Sequence, residues 1–268
     1  MEWTYEPPAS ALNSQVHAAY QHLARLVADY LAEHPDDTYL QSRAAGDVAL
    51  NQVRMFRWYV HHLPPGGRVL DWGCRHAPDS IVLRQIRGEA FELHGCDFPD
   101  CRRYQRFHDV CGLQFTELTD VVALPYPDRW FDVVVAAGTL EHAAQDYESL
   151  KQVYRVLAPG GVLIFTHLPH RHSHTEYVNR VVRKDSYHKR LYDIDETDRL
   201  LKRAGLLPDH LGYQEQLVLD ECHARILHAR PRRLRRWFLQ SKWSLGRLLR
   251  GRSAYTALYG VARKVDVM

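Results

Sequence analysis

The chain has 268 residues, 46% of them hydrophobic and 25% charged, which suits one folded domain with a substantial core and excludes an extended disordered chain. No apolar run approaches the roughly 20 residues that a membrane-spanning helix needs. The first ten residues are acidic and proline-containing rather than basic then apolar, so no secretory leader is expected and the cytoplasm is the expected compartment. The net charge of +3 hides an asymmetry: residues 222–265 carry twelve Lys/Arg and no Asp/Glu, leaving 23 basic and 31 acidic residues before them.

In chain order, residues 11–33 place Leu12, Val16, Ala19, Leu23, Val27 and Tyr30 at helical spacing, and 44–62 repeat the habit with Val48, Val53, Phe56 and Val60. Two N-terminal helices are expected. The turn Pro64-Pro65-Gly66-Gly67 then leads into Arg68-Val69-Leu70-Asp71, a strand that runs into a glycine-containing loop. A helix over 80–87, a strand over 91–95 ending at Asp97, a strand over 131–137, a helix over 147–157 and a strand over 161–166 follow. Alternating strands and helices imply parallel β-α-β units with right-handed crossovers. A helix over 196–204 closed by Gly205, a strand over 214–219 and a last strand over 256–264 near a sheet edge complete the reading.

The expected fold is α/β: a doubly wound, Rossmann-like, mostly parallel seven-stranded sheet with an N-terminal helical cap and a basic helical insertion before the last strand. We assign a single domain with its cap at 1–63, core at 64–221, insertion at 222–255 and last strand at 256–268. Five cysteines without a C-x-x-C pair argue against a disulfide framework and a zinc ribbon.

Ligands of open parallel sheets bind at the carboxyl ends of the strands where strand order reverses. Asp71-Trp72-Gly73-Cys74, Asp97 and Gly138-Thr139-Leu140-Glu141-His142 all follow strands. Gly73 allows close backbone approach, and an acid such as Asp97 can accept both hydroxyls of a ribose. These features suit any adenosine ligand, but the G-x-G-x-x-G of nucleotide-dependent dehydrogenases is absent.

Taken with the segment from Asp120-Val121 to Trp130-Phe131-Asp132, with Leu140-Glu141-His142, with Val153-Tyr154-Arg155-Val156-Leu157-Ala158-Pro159-Gly160-Gly161 and with His188-Lys189-Arg190-Leu191-Tyr192, the chain over about 66–207 resembles the class I methyltransferases, especially their small-molecule and glycan- or lipid-directed branches. The resemblance implies S-adenosylmethionine as cofactor and S-adenosylhomocysteine as product. It implies Asp71 and Gly73 near the methionine moiety, Asp97 on the ribose and Asp120 with Val121 at the adenine, with Trp72, Cys74, Arg75, Phe98 and Gly138 completing the cofactor site. Where the family loop continues Cys-Gly-x-Gly, this chain has Cys74-Arg75-His76-Ala77. If those places need a positive φ, the substitutions carry strain of about 1 kcal/mol, and a binding or scaffold protein without turnover is the alternative function.

Methyl transfer from a sulfonium needs alignment and, for a hydroxyl acceptor, a base. His142 is the first candidate, and the tract His167-Leu168-Pro169-His170-Arg171-His172-Ser173-His174 the second, with His170 as its representative. A quinone-type branch of the family has a metal-binding acid three residues before Glu141; that place is Gly138 here, so no metal is expected. The expected acceptor is a small molecule, a sugar or a lipid-linked glycan, methylated on oxygen. Residues 230–252 set Leu234, Trp237, Phe238, Leu245 and Leu248 on a helical stripe flanked by arginines. Such a stripe either packs on the sheet over the acceptor pocket or rests on an anionic membrane surface; a nucleic-acid partner is not expected.

Overall fold

The computed structural model describes residues 10–44, 46–173, 176, 180, 188–215 and 255–265. Three N-terminal helices, α1 (Ser10–Glu33), α2 (Thr38–Arg43) and α3 (Gly46–Val60), precede a seven-stranded sheet. Its strands are β1 (Gly67–Trp72), β2 (Phe91–Asp97), β3 (Gln114–Glu117), β4 (Phe131–Ala137), β5 (Leu157–Pro169), β6 (Leu206–Glu215) and β7 (Tyr255–Lys264), in the spatial order β3-β2-β1-β4-β5-β7-β6. Helices α4 (Pro78–Arg87), α5 (Gln105–Cys111), α6 (Asp146–Val156) and α7 (Ile194–Arg203) connect them. β1 to β5 pair in parallel, and β7 runs antiparallel to both β5 and β6.

The central strands are near-continuous apolar runs because helices cover both faces. Alternation sorts their side chains: Val69, Val133, Val135, Val162 and Ile164 enter the core beneath α1, α3 and α4, with Leu23, Phe56, Ile81 and Val82. Leu70, Val134, Leu163 and Phe165 enter the opposite core with Leu150, Val153 and Leu201 of α6 and α7. Caps fix the short helices. Asp37 accepts the Leu40 N–H (2.9 Å) to start α2 and also the Tyr104 hydroxyl (2.9 Å), and Asp193 accepts the Glu196 N–H (2.8 Å) to start α7.

Several expectations need correction. The strand expected over 214–219 begins at Leu206, directly after Gly205, and 216–219 lie outside the described residues. Pro208, Asp209 and Gly212 interrupt its apolar pattern. They are tolerated because β6 is an edge strand whose register shifts between Pro208 and His210. The last strand lies near the sheet edge, as expected, between β5 and the edge strand β6. The six-residue α2, α5 and the polar edge strand β3 were not anticipated, and α4 starts at Pro78 rather than Ser80. The basic stretch 230–252 lies outside the described residues. Cys74, Cys96, Cys101 and Cys111 are unbridged and buried, and among the described residues no helix is long and apolar enough to cross a membrane.

Candidate functional site at the β1 and β4 switch point

From β1 the chain steps outward through β2 to β3, then crosses back to β4 on the other side of β1. The ends of β1 and β4 therefore flank the switch point, where an open sheet binds ligands. A cleft lies there, lined by Asp71, Gly73, Cys74, Arg75, His76, Asp79, Ala137, Gly138 and His167 from the sheet side and by Tyr39, Arg43, Gln52, Met55 and Phe56 from α2 and α3.

Hydrogen bonds hold the loop after β1 in place. The Gly73 and Cys74 N–H groups both donate to the Cys96 carbonyl of β2 (2.8 and 3.3 Å). Gly73 has φ +77°, and a Cβ there would come within 2.5 Å of the Thr139 hydroxyl oxygen, which itself donates to the Trp72 carbonyl (2.8 Å). Arg75 and Ala77, the two residues standing where glycines were expected, both have positive φ, 42° and 50°. The strain of about 1 kcal/mol at each is offset by local bonds. The Arg75 N–H donates to Asp97 Oδ2 (3.1 Å), His108 Nε2 donates to the Arg75 carbonyl (2.6 Å), and the Ala77 N–H donates to the Cys74 carbonyl (2.6 Å). The Arg75 guanidinium lies 4.8 Å from the Tyr39 ring centroid and that of Arg43 5.2 Å from it, so two cations frame one wall of the cleft.

Asp71, next to last in β1, is buried and accepts the Ser80 hydroxyl (2.7 Å). Burial, reinforced by neighbouring Asp79, pushes its carboxyl well above the usual range, and burial pushes Asp79 up as well. Asp97 ends β2, where its Oδ1 accepts the Phe98 N–H (2.8 Å) while Phe98 projects into solvent. Asp120 is exposed beyond β3, its Oδ1 accepting the Val122 and Ala123 N–H groups (2.7 Å each), which lowers its pKa. Leu118 N–H bonds the Asp97 carbonyl (2.8 Å), tying that loop to the β2 end.

Of the residues singled out from sequence, Asp71, Gly73, Cys74, Arg75 and Gly138 line the cleft. Asp97 is joined to it through Arg75, whereas Trp72 is packed in the core below, and Phe98, Asp120 and Val121 stand outside the lining. The histidine tract divides. His167, at φ 61°, lines the cleft, and burial pushes its pKa down to about 4. His170 is fully buried beside Tyr192, its Nδ1 3.2 Å from the Tyr192 carbonyl, and is not part of the lining. Tyr39, Arg43 and Gln52 were missed from sequence; the only signal was their place in the cap that covers the switch point.

After β4 a short turn, Leu140–His142, carries Glu141 and His142. Glu141 is 2% exposed, burial pushes its carboxyl up to about 7, and its Oε2 has no hydrogen-bond partner among the described residues. His142 is half-exposed, and desolvation followed by His188 pushes it down to about 4. Among the described residues, one group that could hold a metal is Glu141, His142 and His188, whose candidate ligand atoms lie within 4.8 Å of one another.

The family model of the methyltransferase domain matches residues 40–211. The chain is similar to the 27-O-demethylrifamycin SV methyltransferase of Amycolatopsis mediterranei, 30% identical over 55% of this chain and 56% of that protein. It is also similar to the demethylmenaquinone methyltransferase of Thermus thermophilus, 34% identical over 38% of this chain and 47% of that one. The chain thus spans about half the length of these curated relatives. Among solved structures, its fold resembles a chain in the Haloferax volcanii complex of the Trm112 methyltransferase activator with a methyltransferase, at a TM-score of 0.61 and 19% identity over 89% of this chain and 97% of that one. With more than half of its residues matched by the family model and its sheet in the order described, the chain belongs to the class I methyltransferase-domain family.

Proposed function

We propose that the protein is an S-adenosylmethionine-dependent methyltransferase acting on an oxygen of a small molecule, a sugar or a lipid-linked glycan. The observation that carries this reading is the backbone loop 73–77, pinned between Cys96 and Asp97 at the floor of the switch-point cleft, at Gly73 too tight to admit a Cβ. The residues fit the cofactor. The buried Asp71 and Asp79 carboxyls suit an ammonium, which restores their charged form; Arg43 and Arg75 suit a carboxylate. Asp97 keeps acceptor capacity for ribose hydroxyls, each carboxylate oxygen having two lone pairs. Phe98, 44% exposed beside Asp97, and Asp120 with Val121 would flank an adenine that extends beyond the cleft lining.

When bound, S-adenosylmethionine supplies an electrophilic methyl on a sulfonium sulfur and leaves as S-adenosylhomocysteine. The chain's own residues align the acceptor against that position and take its proton. Neutral imidazoles do this at physiological pH, and both His142 and His167 are pushed down to about 4. The rifamycin- and menaquinone-directed relatives support a small-molecule acceptor, and the basic stretch 230–252 would bring the enzyme to an anionic membrane surface or cover the acceptor side.

Titration calorimetry with S-adenosylmethionine and S-adenosylhomocysteine tests the reading. We expect saturable binding that falls at least about 100-fold in Asp97→Ala, which removes the acceptor of the Arg75 and Phe98 N–H groups. No binding by the wild-type chain would overturn it in favour of a scaffold without turnover.

A further inference from the structure

A buried, unpaired carboxylate oxygen needs a proton or a cation. Glu141 Oε2 is such an oxygen, and the groups nearest in kind are imidazoles: His142 Nε2 lies 3.9 Å from Glu141 Oε1, and the His142 and His188 ring centroids are 5.6 Å apart. His188 is itself held from behind. Its Nδ1 is 2.7 Å from Glu176 Oε1, and Glu176 is nearly buried. A carboxylate that accepts a hydrogen bond from Nδ1–H fixes the tautomer in which Nε2 carries the lone pair, the usual way a metal-binding histidine is oriented.

We propose that Glu141, His142 and His188 bind a divalent first-row transition ion beside the cleft, next to Gly138. Ligand atoms around an ion with bonds of about 2.1 Å sit roughly 3–4 Å apart, so the spread of up to 4.8 Å closes with a small rotation of the half-exposed His142 ring. Two imidazoles and one carboxylate favour Zn²⁺, Fe²⁺, Co²⁺ or Mn²⁺ over Mg²⁺ and Ca²⁺, which prefer oxygen cages. Three protein ligands leave coordination positions open for an exogenous oxygen. The site adjoins the cleft: a Cβ on Gly138, which lines it, would lie 3.5 Å from Glu141 Oε1.

The ion's role rests on the proposed methyl transfer, whereas its binding does not. An acceptor hydroxyl or enol oxygen on the ion loses its proton more readily. The oxygen–carbon bond then forms as the carbon–sulfur bond breaks, and with His142 engaged as a ligand the proton passes to His167 and on to water. The acceptor class is therefore a compound with a coordinating oxygen.

The test is titration of the chelator-treated full chain with Co²⁺, read by visible absorption, and with Zn²⁺ by calorimetry in excess Mg²⁺. We expect one saturable site, weakened at least about 100-fold in Glu141→Gln and in His188→Asn, about 10–100-fold in Glu176→Gln, and unchanged in the surface control His34→Ala. S-adenosylhomocysteine binding by each variant reports folding and judges the cofactor reading separately. Absence of a saturable site in the wild type, or a site that survives both Glu141→Gln and His188→Asn, overturns the proposal.

Discussion

The loop 73–77 after β1 and the turn 138–142 after β4 face the same cleft, yet one is satisfied and the other is not. In the first, two non-glycine residues at positive φ are tied down by bonds to Asp97, His108 and the Cys74 carbonyl. In the second, Glu141 is buried with an oxygen that nothing among the described residues bonds. The loop after β1 has already met its ordering cost within the chain, and the turn after β4 keeps an unmet polar demand that a ligand can fill. That difference is what preorganisation on one side and specificity on the other require.

The strongest way to break this contrast is Gly73→Ala. The new methyl would stand 2.5 Å from Thr139 Oγ1 at a φ of +77°, so the two loops must part. We expect a stability loss of about 2–4 kcal/mol and loss of S-adenosylhomocysteine binding, read by thermal melts and calorimetry. Gly160→Ala is the matched control: its φ is +72°, but nothing lies within 4 Å of the added Cβ, and only the conformational cost of about 1 kcal/mol remains. Equal effects at the two sites would show that backbone conformation, not close approach, governs the loop.

The turn after β4 is sharpened by pH. Glu141 is raised to about 7 when folded against an ordinary value of 4.5. The folded state thus binds the proton more tightly, and the stability it contributes is fully present below about pH 4.5 and lost as pH rises through about 7. The loss is on the order of 3 kcal/mol. In the presence of chelator, Glu141→Gln should flatten that part of the stability profile and leave the part due to Asp71, which is raised for the same reason of burial. An unchanged slope in the variant would mean that Glu141 is not an unpaired buried acid.

The contrast also marks what was legible in the sequence. The cleft lining at Asp71, Gly73 and Gly138, with Asp97 beside it, could be read because its signals are local: acids and glycines at the carboxyl ends of strands. Cleft residues Tyr39 and Arg43 come from a six-residue helix held by one Asp37 cap and by Tyr104, 67 positions away, contacts that no periodicity carries. His167 could not be separated from His170 because a strand end turns neighbouring residues to opposite sides, and only the paired register with β7 says where β5 stops. The convergence of Glu141 with His188 and Glu176 is likewise a long-range event. The place three residues before Glu141 is Gly138, and the carboxylate behind His188 comes from Glu176, a contact with no local signal.

The smallest effect expected is the most diagnostic for the cofactor side. Arg75→Gly removes the strain of a side chain at φ 42°, worth roughly 1 kcal/mol, and adds unfolded-state entropy of similar size. It also deletes the stack on Tyr39 and the 3.9 Å pairing with Asp100, both at the surface and worth little. Stability should therefore move by less than about 1 kcal/mol in either direction, because the N–H to Asp97 and the carbonyl bond to His108 are main-chain and persist. Binding separates two roles that stability cannot. If the guanidinium serves only to stack, S-adenosylhomocysteine affinity is unchanged; if it receives the carboxylate of the cofactor, affinity falls about tenfold, and Arg75→Lys, which keeps charge but not the planar fork, recovers only part of it.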